Sequence, residues 1–388
     1  MEPLRVLFVI GSLLPGGIEI WLMNVLRNID PRRFHIDILV STPAESPFVS
    51  EVTQRGSKIL VCKGQSKPLR YSAKLARLLR AEGPYDIIHS NVHNMNAAVA
   101  LAALAAGIPV RIAHSHLAES GPRAAHRKLA LLSMRALAAG ALACSADAGN
   151  SLFGDNWEQR IPGRVLECGI DLEPFRAAVN PSAVRESLGI PPDAVVIGHA
   201  GRFHPQKNHA LIIEIAEAYA RSDSRAHFLL VGDGPLGPEI KQRIARSLFA
   251  ERFHLPGMRA DVPQLMLAAM DCFLFPSLCE GLGLALVEAQ AAGLPCVFSD
   301  VIPAEADVYP PLLRRIPLDA SPETWAQAIR QLLASSDAGS RVAALKAVES
   351  SPFNILTSIR ELEGFYLERC KASSSPRLKA KLDAFRQQ

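Results

Sequence analysis

Short apolar runs alternate with longer amphipathic stretches along almost the whole chain. Arg5–Ile10, Phe34–Val40, Lys58–Val61, Asp86–His89, Val110–His114, Gly140–Cys144 and Arg164–Glu167 are continuous apolar or β-branched runs and predict buried strands. Between them, residues 17–29, 68–81, 92–106 and 121–139 carry apolar side chains at helical spacing. Near residues 171–190 the sequences Asp-Leu-Glu-Pro-Phe and Asn-Pro-Ser interrupt this rhythm. It then restarts, with strands at Ala194–His199, Phe228–Val231, Arg252–Leu255, Cys272–Phe275 and Cys296–Ser299. Helices follow near 208–221, 235–248, 261–270, 284–292 and 321–335. Residues 351–372 read as one amphipathic helix through Ile355, Ile359, Leu362 and Tyr366, and the tail Lys371–Gln388 reads as polar, basic and frayed.

Apolar strands alternating with helices predict parallel sheets covered on both faces. The expected architecture is α/β, with two doubly wound domains facing each other across an interdomain cleft. The first domain is expected over residues 1–175 and the second over 176–350, with 351–388 forming a helix that crosses back to the first domain plus a basic tail. A chain of 388 residues suits two domains rather than one core. Hydrophobic residues at 49% and charged residues at 21% suit a soluble globular protein. The net charge of +4 is too small to argue for nucleic acid as a partner, although the basic excess lies in the first 180 residues. None of the seven cysteines is spaced as a metal-ligand pair, so reduced thiols and a cytoplasmic location are expected. The sequence enters its first strand directly, with no signal peptide and no apolar run of about 18 residues. It is expected to be neither secreted nor membrane-spanning.

The richest chemistry lies between Cys272 and Glu288. A strand runs into a loop containing Gly281 and Gly283, and the loop opens a helix. Free N–H groups and the positive end of a helix dipole favour an anion there, most often phosphate. Glu280 and Glu288 flank the loop and can grip hydroxyl groups, so phosphate plus hydroxyls points to a sugar nucleotide. Arg202 and Lys207 stand in the loop after the first strand of the second domain. Arg forks over phosphate oxygens and Lys supplies a compact charge, so the two can hold a diphosphate without a metal; otherwise they are surface charge.

Other positions are more ambiguous. Gly232 and Gly234 permit a sharp turn, and Asp233 is expected to cap a helix from Pro235. Gly16 and Gly17 follow the first strand but do not match Gly-x-Gly-x-x-Gly, and serve either a ligand or a simple turn. His114 and His116 share one strand face by period 2, with His116 emerging at the strand end; each is either a ligand-facing or a core histidine. His89 and His93 bracket another strand end. Lys67, Arg70, Lys74, Arg77 and Arg80 recur beside Leu69, Leu75, Leu78 and Leu79. Such a helix suits either an anionic membrane surface or solvent, with Arg123, Arg127 and Lys128 adding to the same domain.

Together these residues resemble the family 4 glycosyltransferases, retaining enzymes of GT-B fold, and within them the exopolysaccharide and capsule branch. The phrases that carry the resemblance include Arg111-Ile-Ala-His-Ser-His, His199-Ala-Gly-Arg-Phe with Gln206-Lys-Asn-His, and Val231-Gly-Asp-Gly. The most specific is Glu280-Gly-Leu-Gly with Glu288-Ala-Gln-Ala-Ala-Gly-Leu-Pro, a Glu-x7-Glu signature. The resemblance implies a UDP-sugar donor, or a GDP-sugar, and a saccharide acceptor linked to polyprenyl pyrophosphate. It implies no metal cofactor, and a place on the inner face of the cytoplasmic membrane. Arg202 and Lys207 would hold the diphosphate, Glu280 the donor sugar, Glu288 the ribose, and His116 would face the sugar. Gly201 and the backbone of Gly281, Leu282, Gly283 and Leu284 would cradle the donor, Gly17 would close on it, and Gly257 would border the base. Two departures stand out: Asn91 and Cys168 occupy positions where the family often has His and Asn. A sugar-nucleotide epimerase, or a binding protein without turnover, is the alternative reading.

Overall fold

The computed structural model describes residues 2–43, 46–118, 137–335 and 339–386. They form two compact units, Met1–Gly169 with Ile355–Gln388 and Ile170–Asn354.

Unit 1 holds strands β1 (Leu4–Ile10), β2 (Phe34–Val40), β3 (Ile59–Val61), β4 (Ile87–Ser90), β5 (Val110–Ser115), β6 (Gly140–Ala143) and β7 (Gly163–Val165). They make one parallel sheet in the order β3-β2-β1-β4-β5-β6-β7. Both faces are apolar because both are covered. Leu7 and Val9 pack with Tyr71, Leu75, Leu79 and Val99 of helices Pro68–Glu82 and Asn96–Ala105. Phe8, between them in sequence, meets Trp21 of helix Gly17–Asn28 on the other face. Full burial of one such side chain contributes about 1.5–3 kcal/mol. The expected helix over 121–139, with Arg123, Arg127 and Lys128, lies almost wholly outside the described residues.

The C-terminal helix Ile355–Ala372 packs on the same unit, where Tyr366 is buried against Phe34. The tail, expected to be frayed, forms a helix as far as Arg386. Pro376–Arg386 is a helix, with Leu378 and Leu382 buried one turn apart. Lys381, on the same side, reaches Asp86 at 2.9 Å. Composition hid this helix because a few apolar residues at the right spacing suffice to dock it.

Unit 2 holds β8 (Val195–Ala200), β9 (Ala226–Val231), β10 (Phe253–Gly257), β11 (Cys272–Phe275), β12 (Cys296–Ser299) and β13 (Leu313–Ile316). The parallel order is β10-β9-β8-β11-β12-β13. Strand β13, with two arginines at the sheet edge, escapes a search for apolar runs. Helix Pro181–Ser187 occupies the expected break; Pro181 starts it and the Asn180 side chain accepts from Ser182 N and Ala183 N. Chain order reverses between β8 and β11, the position where doubly wound sheets bind ligands. Among the described residues, no helix is long and apolar enough to cross a membrane.

Candidate functional site

The loops after β8 and β11 leave the sheet side by side, flanking the reversal in unit 2. They are stitched together by one backbone and one side-chain hydrogen bond: Leu278 N donates to Gln206 O at 2.8 Å, and the Gln206 side-chain Nε2 donates to Cys279 O at 2.7 Å. Below them, His199 Nδ1 contacts Leu274 O at 3.0 Å, tying β8 to β11. Burial holds His199 neutral, well below the usual imidazole range. Gln206 belongs to a sequence phrase with no role read into it; its neighbour Lys207 is the only signal that could have found it.

Lys207 closes the short turn Pro205–Lys207. Its Nζ lies 2.6 Å from Glu280 Oε1 and 4.6 Å from the centre of the buried Phe275 ring. Both partners are largely shielded, with side chains 16% and 9% exposed. The structure therefore joins two residues that sequence reasoning treats separately. Arg202 differs: it is exposed and has no hydrogen bond or ion pair among the described residues.

Gly281, Leu282 and Gly283 are buried and lead into helix Leu284–Ala291. Gly283 has φ +85, a left-handed conformation that L side chains rarely adopt. It turns the chain so that the helix starts at the strand end. Glu288 lies in the second turn, half-buried, and its carboxyl has no hydrogen-bond partner among the described residues. Burial lifts its carboxyl to about 7, with Lys207 opposing the rise.

The β9 loop reaches the same edge. Gly201 N donates to Val231 O, and Phe203 N to Asp233 O. A Cβ on Gly232 would stand 2.0 Å from Gly201 O, so glycine permits the two loops to touch. Asp233 does not cap a helix as expected. Its Oδ1 accepts from Gly234 N, and the helix begins at Gly237. Gly257 ends β10 and accepts from Gly232 N, which carries it to this edge too.

Gly17 and His116 belong to unit 1. Gly17 is the first residue of its helix, with nothing within 4 Å of where a Cβ would stand. His116 follows β5, and burial depresses its pKa to about 3, so it is neutral. Asn91 Oδ1 lies 2.8 Å from its Nε2, and Cys168 Sγ lies 3.6 Å from its Nδ1. Both ring nitrogens thus have partners, and those partners are the two residues that depart from the family pattern. The spacing of Asn91 and Cys168 along the chain gives no hint of this meeting.

A parallel sheet with glycine turns, a paired carboxylate and ammonium, and an unpaired arginine at its reversal is an arrangement suited to phosphate and hydroxyl groups. Comparison with known proteins makes this particular. The Glycosyl transferases group 1 family matches residues 194–335, and the Glycosyl transferase 4-like domain matches residues 16–148. The glycosyltransferase-family protein EpsF of Bacillus subtilis (strain 168) is 34% identical over 341 residues, covering 85% of this chain and 88% of that protein. The UDP-Gal:alpha-D-GlcNAc-diphosphoundecaprenol alpha-1,3-galactosyltransferase of Escherichia coli is 31% identical over 245 residues, 61% of this chain and 62% of its own. The crystal structure of Anabaena Alr3699/HepE in complex with UDP-glucose shares the fold. Its TM-score is 0.76 at 22% identity, covering 93% of this chain and 98% of that one. The chain belongs to the family 4 glycosyltransferases of GT-B fold, and its activity is glycosyl transfer.

Proposed function

We propose that this enzyme moves a hexosyl unit from a UDP-sugar to a saccharide acceptor carried on polyprenyl pyrophosphate, with retention of anomeric configuration, in surface polysaccharide synthesis. The observation that carries the reading is the grouping at the unit 2 reversal: the Lys207–Glu280 pair, unpaired Arg202, and the glycine turn opening a helix. Arg202 and Lys207 take the diphosphate and Glu280 the hydroxyls of the donor sugar. Glu288 takes the ribose, while Gly201 and the backbone from Gly281 to Leu284 cradle the donor. Gly257 borders the base. UDP is favoured over GDP because the Escherichia coli relative is named for a UDP-sugar and the Anabaena protein was crystallised with one. The acceptor class follows that relative's printed acceptor, a diphosphoundecaprenol-linked sugar.

In the proposed reaction the bond from C1 to the phosphate oxygen breaks, and its electron pair stays on the diphosphate. Arg202, Lys207 and the helix N-terminus stabilise that charge, which replaces a separate acid catalyst. The acceptor hydroxyl attacks C1 from the same face and passes its proton to the leaving phosphate. No metal is assigned a step. Glu280 and Glu288 act by hydrogen bonding and are not a glycosidase acid/base pair.

The helix Pro68–Glu82 is assigned to an anionic membrane face. Leu69, Arg70, Lys74 and Arg77 are exposed on it and Lys67 is exposed just before it, while Arg80 is turned aside to the Ala105 carbonyl. Incubation with a panel of UDP- and GDP-sugars and a polyprenyl-pyrophosphate-linked sugar tests the reading. An α-linked product from a UDP-α-sugar supports it. A product of inverted configuration, or one formed only from a GDP-sugar, removes that part of it.

A further inference from the structure

The neighbourhood of His116 in unit 1 holds a second cluster with a chemistry of its own. One ring nitrogen each of His114 and His116 and the sulfur of Cys168 all lie within 4.8 Å of one another. His114 and Cys168 are buried, and half-buried His116 gives the cluster its access to solvent. These are imidazole and thiol donors, the set that selects zinc-like cations over magnesium or calcium.

The surrounding hydrogen bonds prepare the donors. Asn91 Nδ2 donates to the Val9 and His89 carbonyls, which turns Oδ1 towards His116 Nε2. His116 therefore carries its proton on Nε2 and its lone pair on Nδ1, facing Cys168. His114 Nδ1 contacts His89 Nε2 at 3.0 Å, and His89 Nδ1 contacts the Tyr366 hydroxyl at 2.6 Å. With those bonds donated along the row towards Tyr366, the lone pair of His114 falls on Nε2. That atom is fully buried and has no partner. Metal-bound histidines almost always have the other ring nitrogen anchored in this way.

Zn–N at about 2.05 Å and Zn–S at about 2.3 Å, at a tetrahedral angle, place nitrogen and sulfur about 3.5 Å apart. The separation of His116 Nδ1 and Cys168 Sγ is 3.6 Å. We propose that His114, His116 and Cys168 form a binding site for a single Zn2+-class cation, with one coordination position open. On binding, Cys168 gives its thiol proton to solvent and binds as thiolate, while both imidazoles stay neutral. Because uptake releases that proton, it strengthens as pH rises. All three donors belong to unit 1.

The test uses the reduced 388-residue chain, stripped with chelator and titrated with Zn2+ alone and, separately, with Co2+ alone. One equivalent of either metal is expected, with a thiolate-to-Co2+ charge-transfer band and release of a proton. Cys168→Ser removes the band and weakens Zn2+ binding by more than about 100-fold. Asn91→Ala, which keeps all three donors, weakens it by about 10–100-fold. Cys279→Ser, which alters a partly exposed thiol in unit 2, leaves both unchanged. Absence of stoichiometric binding overturns the proposal, as does a Co2+ spectrum without the thiolate band. So does metal affinity that survives in folded Cys168→Ser or is lost in Cys279→Ser.

Discussion

Arg202 and Lys207 stand five residues apart, yet their substitution should have different consequences. Arg202 is exposed and unpaired, so Arg202→Ala is expected to leave stability within about 0.5 kcal/mol of wild type. If Arg202 holds the diphosphate, the same change lowers kcat/KM by about 100-fold or more. Lys207→Ala removes one partner of a shielded ion pair and is expected to cost about 3–5 kcal/mol of stability as well as activity. Thermal unfolding and steady-state kinetics on the two variants separate these effects. Glu288 adds a pH dependence. Its carboxyl titrates near 7 in the folded protein against an ordinary value of 4.5, so folding favours the protonated form. Its contribution to stability is therefore present below the ordinary value and is lost as pH rises through about 7. Glu288→Gln should flatten the fall in Tm between about pH 5 and pH 8. Uridine nucleotide binding that recruits the carboxylate should release a proton near pH 6.5, measurable by calorimetry in buffers of different ionisation enthalpy. The residue types and their places in the strand-end loops are legible in the sequence, because glycines, charges and an apolar strand sit within one short span. That Lys207 meets Glu280, or that Asn91 and Cys168 meet His116, is not legible. Those contacts depend on which strands are neighbours.

At the scale of elements, the carboxyl ends of β4 and β5 gather His89, His114 and His116. Burial depresses all three below the ordinary imidazole range, His89 and His114 well below it and His116 to about 3. The unfolded chain binds protons at these positions below about pH 6.5 and the folded protein does not, so stability falls as pH drops. At full effect three protons give about 4 kcal/mol per pH unit. Urea unfolding at about pH 7.5 and 5.5 should show a large loss. A stability that is flat across that range would show that the row is hydrated. Strands with continuous apolar runs are readable, and most appear within a residue or two of expectation. Those that are missed have physical reasons. Strand β13 carries Arg314 and Arg315, and helices such as Phe48–Gln54 and Ala146–Phe153 are too short to establish a helical period.

At the scale of the whole molecule, the C-terminal segment returns to unit 1, and its last helix carries a buried charge. Lys381 Nζ binds Asp86 Oδ2 at 2.9 Å and the Pro3 carbonyl at 3.0 Å. Arg377 lies 3.2 Å from Asp86 Oδ1. Lys381→Met leaves Asp86 with less compensation in a buried place, at an expected cost of about 3–5 kcal/mol. Chemical denaturation of that variant checks it, and a cost below about 1 kcal/mol would show that the tail is only loosely docked. The two doubly wound units were legible because the strand–helix rhythm stops and restarts. The docking of the tail was not, since it depends on single residues meeting across 295 positions of sequence. The most direct test of the account is calorimetric titration of UDP into the wild-type enzyme and into Arg202→Ala. Saturable UDP binding by the wild type, at least about ten-fold weaker in Arg202→Ala at unchanged Tm, is the predicted result. Failure of the wild type to bind UDP, or equal affinity in the two proteins, would contradict the assignment of the donor site.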